Sequence, residues 1–159
     1  MSKNYWLMKS EPDCFGIKDL QAKPKQTDMW DGVRNYQARN MMRDEMKKGD
    51  QVFFYHSNTK PPHIAGLCEI ASAAYPDPTQ FDPDSQYYDP KSSKDEPRWW
   101  LVDVKFIEEF PEKLSLQALK DNPKLKDMKL VQKGSRLSVQ PVTPEEWQEV
   151  MKMMSKAVA

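Results

Sequence analysis

The stretch Gln51-Val52-Phe53-Phe54-Tyr55-His56, closed by Ser57 and Asn58, carries the reading of the fold. A continuous apolar and aromatic run ending in turn formers is the pattern of a strand covered on both faces, since one exposed face would impose a polar residue at every second position. Working outward, Ile64 to Ala71 is a second strand, with Pro61 and Pro62 in the turn between. Trp100, Val102, Val104 and Phe106 alternate with Leu101, Asp103 and Lys105, the period of a strand buried mainly on one side. Tyr5 to Met8 is a short first strand that breaks at Lys9, Ser10 and Glu11, because Pro12 cannot continue a ladder and restricts the residue before it. Leu137 to Val142 is the last strand.

The helical signals have a different period. A single turn is expected over Ile17 to Leu20. From Tyr36 to Lys48, Ala38, Met41, Met42 and Met46 fall on one helical face, and Gly49 supplies a stop. Short helices are expected at Ser115 to Lys120 and Pro123 to Asp127, the latter capped by Asn122. Thr143-Pro144-Glu145-Glu146 is a capping box that opens a C-terminal helix burying Trp147, Val150, Met151 and Met154. About five strands and two substantial helices, without regular strand–helix alternation, imply an α+β fold: a mixed-sheet barrel-like body flanked by helices. Neither a repeat nor a low-complexity linker divides the chain, so residues 1–159 are expected to form one domain, with Pro76 to Pro97 as one long loop.

The composition narrows the function. Lys and Arg number 24 and Asp and Glu number 24, which argues against gripping long nucleic acid through its phosphates alone. Charge is nonetheless sorted: Lys120 to Arg136 is locally basic and Asp77 to Glu96 locally acidic. Cys14 and Cys68 have no metal-ligand spacing and read as reduced thiols. The start has no apolar leader core and no run suits a membrane span, so a cytoplasmic protein is expected, as a monomer without membrane contact.

Phosphate-loop, nucleophile-elbow and zinc-protease motifs are absent from the sequence. His56 and His63 could face each other across a hairpin, but no acidic or thiol ligand is grouped with them, so neither metal nor cofactor is expected. The strongest local signal is Trp30-Asp31-Gly32-Val33-Arg34-Asn35, where an indole, a flexible glycine, an arginine and an amide precede a helix. A nucleobase site needs such a mixture: a ring stacks on the base while polar groups read its edge. The plainer alternative is that Asn35 caps the helix and Trp30 is core. Lys9, Ser10 and Glu11 at one strand end, and Ser57 and Asn58 at another, would surround a common mouth if those strands are neighbours; turn chemistry is the alternative. Arg136 is a candidate phosphate contact, and Tyr87, Tyr88 and Trp99 a candidate second stacking surface.

At these same residues the sequence resembles the EVE domain family. The matching segments are YWLMKSEP at 5–12, WDGVRNYQARNMMR at 30–43, GDQVFFYHSN at 49–58, AGLCEI at 65–70, YYDPKS at 87–92, PRWWLVDVKF at 97–106 and RLSVQPVTPEEW at 136–147. The resemblance implies a PUA-like pseudo-barrel that binds a modified base in DNA or RNA without catalysis. It also implies the pocket: Trp30 as stacking wall; Gly32, Val33, Arg34 and Asn35 as floor and edge readers; Lys9, Ser10 and Glu11 as the opposing rim; Tyr55, Ser57 and Asn58 completing it; and Arg136 toward the phosphate. On this picture Trp30→Ala removes a stack and leaves the fold intact. Two other classes compete. An amidohydrolase acting on an acylated nucleobase would use Lys9 with Glu69 or Glu11. A protein-interaction module would use methionine-rich helix faces.

Overall fold

A computed structural model describes the backbone of residues 4–132 and 137–158. Eight strands and five α-helices follow in order: β1 (Tyr5–Ser10), α1 (Pro12–Phe15), α2 (Ile17–Gln21), β2 (Thr27–Met29), α3 (Tyr36–Asn40), β3 (Gln51–His56), β4 (His63–Ile70), β5 (Tyr75–Pro76), β6 (Trp100–Leu101), β7 (Asp103–Ser115), α4 (Leu116–Lys120), β8 (Val139–Val142) and α5 (Pro144–Val158). Six strands make one curled mixed sheet in the order β2-β7-β4-β3-β1-β8, and β5 pairs with β6 separately. The β1–β3 pair is parallel and the other pairs are antiparallel. This is the expected α+β class with one more strand in the main sheet: β2, three residues without an apolar pattern, pairs with β7.

Both faces of the sheet are covered, and for that reason β3 is apolar throughout. Trp6, Met8 and Phe54 belong to a core with Ile17, Leu20, Trp30, Val33, Met41 and Met42. Leu7, Phe53 and Tyr55 belong to a second core with Leu119, Leu125, Trp147 and Val150. Successive strand residues alternate between the two. Trp147 of α5 stacks on Phe53 with centroids 3.8 Å apart and on Tyr5 at 4.7 Å, closing the second core.

Two expectations change. The helix expected over 36–48 is α only to Asn40; residues 41–45 widen into a π-turn in which Met46 N–H donates to Met41 O at 2.9 Å. Asp50 is the physical reason the chain turns away there. Its buried carboxylate accepts from Lys47 N at 2.9 Å, Trp6 Nε1 at 3.0 Å and Asn4 N at 3.1 Å, so the segment is captured before another α-turn forms. The strand expected at 100–106 is interrupted at Val102 and then continues as β7 for 13 residues, through Pro111. Register shifts against β4 accommodate it.

The loop expected over 76–97 is tied around Gln80, which is fully buried. Its amide donates to Asp77 O and Trp99 O, both at 2.7 Å, while its carbonyl oxygen accepts from Ser92 Oγ at 2.6 Å and Trp99 N at 3.0 Å. One side chain thus fastens both ends of the excursion. A buried amide so fully bonded avoids the cost of an unpaired polar group.

Candidate nucleobase site

Because β1 and β3 are parallel neighbours, with Ser10 opposite His56, the strand ends bearing Lys9 to Glu11 and Ser57 to Asn58 lie side by side. Ser57 N donates to Ser10 O at 2.9 Å, and Asn58 turns the chain at φ 53°. The pleat then divides the group. Lys9 lies 6.0 Å from the Tyr55 ring centroid on the face of the second core. Ser10 belongs to the α1 side, where its hydroxyl donates to Phe15 O at 2.6 Å. The eleven residues expected around one pocket are therefore distributed over both faces of the sheet. Lys9 is half-buried, its pKa lowered by desolvation, and no carboxylate pairs with it among the described residues; burial likewise pushes the Tyr55 phenol up to about 12. Arg136 lies outside the described residues.

The segment from Trp30 to Asn35 is held at almost every residue. Trp30 N donates to Val102 O at 3.0 Å, and the indole meets Phe54 edge-on with centroids 5.4 Å apart. Trp30 is only 8% exposed, more enclosed than a stacking wall open to solvent, because Phe54 and the helical face of α3 pack around it in the first core. Gly32 sits at φ 80° beneath the Tyr87 ring, where a Cβ would lie 2.5 Å from the ring carbon Cζ. No L-side chain fits that conformation under that ring.

Arg34 and Asn35 are employed structurally. Arg34 donates to Asp77 Oδ2 at 3.1 Å, Thr79 Oγ1 at 3.2 Å, Tyr87 O at 2.8 Å and Val33 O at 3.1 Å. Its guanidinium also lies between the Tyr87 and Trp99 rings, 5.5 and 5.3 Å from their centroids. Tyr36 stacks on Trp99 at 4.9 Å and Arg39 sits 4.7 Å over Tyr36, so a column of Arg39, Tyr36, Trp99, Arg34 and Tyr87 runs from the surface of α3 to the ring above Gly32. Asn35 caps α3 by accepting from Ala38 N at 2.9 Å, the plainer of the two sequence readings. Tyr87 and Trp99 therefore serve this column, while Tyr88 is 42% exposed.

Asp31 went unremarked in the sequence because a carboxylate between tryptophan and glycine reads as turn chemistry. It is half-buried, and no other residue donates to or pairs with it among the described residues. Burial chiefly, and then Asp77, raise its pKa. The Tyr87 phenol is raised as well, by burial first and then by the charge of Asp31.

The two histidines do meet across the β3–β4 hairpin. Ile17 N–H donates to His56 Nε2 at 3.1 Å, so that nitrogen carries no proton and the ring is protonated at Nδ1. His56 Nδ1 then donates to His63 Nε2 at 3.2 Å, and His63 Nδ1 to Pro61 O at 2.7 Å. Every ring nitrogen is committed and both rings are neutral. Burial first, then His63, lowers the His56 pKa to about 4. A recess of about 400 Å³ beside this pair is lined by Gly16, Ile17, Ala65, Phe110 and Lys113 and by none of the residues expected to hold a base. The acid–base pairs of the amidohydrolase reading fare no better: Lys9 and Glu69 are at opposite ends of the sheet, Lys9 level with Tyr55 and Glu69 with Gln51, and Glu11 is exposed beside Cys14.

The model of the EVE domain matches residues 4–153. Thymocyte nuclear protein 1 of Homo sapiens is 46% identical over 96% of this chain and 75% of its own length; the protein of Mus musculus is 47% identical over 94% and 73%. Among solved structures, a Pseudomonas syringae protein is 51% identical with TM-score 0.89, covering 94% of this chain and 99% of that one. The human THYN1 protein in complex with DNA containing 5-methylcytosine is 46% identical with TM-score 0.90, covering 96% of this chain and 98% of that one. The cytoplasmic location expected from the sequence is overturned by these relatives, which are named as nuclear proteins. No described helix is long and apolar enough to cross a membrane. With the family model spanning nearly the whole length and relatives close to half identical, the chain belongs to the EVE domain family.

Proposed function

We propose that this protein binds DNA carrying a modified base, 5-methylcytosine being the first candidate, and does so without catalysing a reaction on it. The observation that carries the reading is the human relative solved with 5-methylcytosine DNA, superposable on 96% of this chain. The base, out of its stack, would insert toward Trp30 and Val33, with Ser10, Glu11 and Asn58 on the rim and Lys9 available to a phosphate. Gly32, Arg34 and Asn35 would shape the pocket through Tyr87, Asp77 and α3 instead of reading the base themselves. A binding role is favoured over hydrolysis because both histidines spend their nitrogens on structural hydrogen bonds and Lys9 is far from Glu69.

Stacking contributes about 1–3 kcal/mol per base, and one buried methyl about 0.8 kcal/mol, or about fourfold in affinity. Titration of the protein with matched duplexes bearing 5-methylcytosine or cytosine should show this modest preference. Trp30→Phe, which keeps a smaller ring in the core, should weaken binding of the methylated duplex by roughly threefold, a fraction of the stack that removing the ring would cost. Equal affinity for both duplexes, or no loss in the folded Phe variant, would remove the proposed pocket.

A further inference from the structure

Asp31 stands in contrast to its neighbours. Gly32 N–H is taken by Asp77, Arg34 by four acceptors, and Asn35 by its helix, yet the half-buried carboxylate beside Trp30 has no partner from another residue among those described. Its own backbone N–H is the donor it does have, and a partly dehydrated carboxylate with acceptor capacity to spare gains from a donor brought by a ligand. The local cation is only a minor influence on Asp31: Arg34 is paired with Asp77, whose side chain is 1% exposed, and comes last among the charges acting on Asp31. The backbone around Asp31 is also constrained, by Trp30 N to Val102 O on one side and Gly32 N to Asp77 on the other, so the carboxylate is presented from a fixed platform.

We infer that Asp31 is the residue that determines base identity, accepting a hydrogen bond from the exocyclic amino group of cytosine or 5-methylcytosine. A carboxylate is the acceptor that suits this amino group, and thymine, with the same methyl but a carbonyl in its place, would meet oxygen with oxygen. Burial first, and then Asp77, raise the pKa of Asp31, and a donor from the base would favour its charged form. The inference rests on the reading that the protein binds a modified base and adds the ligand class: 4-amino pyrimidines.

Three DNA duplexes that differ at one position, 5-methylcytosine, cytosine or thymine, each opposite an abasic spacer, separate the two ideas, because the spacer equalises the cost of leaving the stack. Wild-type protein should bind 5-methylcytosine at least about tenfold more tightly than thymine, within the range expected for a base-edge contact. In Asp31→Asn the amide can offer either its carbonyl to cytosine or its NH₂ to thymine, so the ratio should shrink to within about threefold. Asp31→Ala should shrink it as well, with folding of both variants checked by circular dichroism. An unchanged ratio in the folded Asn variant, or a wild type that prefers 5-methylcytosine to cytosine but not to thymine, overturns the role of Asp31 alone. A wild type that treats all three duplexes alike overturns the base-binding reading and this inference with it.

Discussion

Arg34 and Asp77 form an ion pair at 3.1 Å, with the carboxylate 1% exposed, and through it the segment before α3 is joined to the excursion between β5 and β6. Asp77 also accepts from Gly32 N at 2.9 Å and Thr79 N at 2.8 Å. Asp77→Ala would strand two backbone N–H groups and a guanidinium. We predict a loss of about 3 kcal/mol in urea unfolding, in line with removing one partner of a buried pair, and faster amide exchange over residues 77–99. Unaltered exchange in that loop would contradict the proposed tether.

Gly32→Ala tests the ring above it. The positive φ alone costs an L-residue about 1–2 kcal/mol, and contact with Tyr87 adds to it. Tyr87→Ala in the same chain should recover the steric part and leave the backbone part, so the double variant should melt above Gly32→Ala. Strict additivity of the two substitutions would count against the contact.

Trp30→Ala is expected to damage the fold as well as binding. With the indole 8% exposed and edge-on to Phe54, truncation leaves a cavity costing about 3–5 kcal/mol. This corrects the expectation from sequence that the fold would survive such a change unharmed. Denaturant midpoints of Trp30→Ala and Trp30→Phe compare the two, with the Phe variant expected to retain most of the stability.

The histidine relay makes stability depend on acid. His56 is neutral in the fold with a pKa of about 4 against 6.5 unfolded, so its stabilisation is complete above 6.5 and is lost as pH falls from 6.5 toward 4. His63 and Lys113 oppose its charging, and Glu109 and Asp19 favour it. Thermal melts should fall across that window in the wild type and fall less in His56→Gln, which retains an acceptor for Ile17 N–H. Parallel pH profiles for the two proteins would show that the relay is not the titrating element.

Local patterns decided much of this molecule. The unbroken apolar run at 52–55 identified β3 as a strand covered on both sides, and the Thr143 capping box appears with Glu146 Oε1 accepting from Thr143 N at 3.0 Å. Asn35 was legible as a helix cap from its position alone. Such features depend on a few consecutive residues and on the periods of helix and strand, which any sequence displays. What the tertiary structure decided depends on partners distant along the chain: Arg34 and Asp77 are 43 residues apart, Trp6 and Asp50 44 apart, Gly32 lies beneath Tyr87, and the pleat sends Lys9 and Ser10 to opposite faces. Arg34 is a possible base reader in sequence and a loop clamp in the fold because an ion pair has no period. Its partner is chosen by how the sheet and the excursion close in space, and so is the half-burial of Asp31.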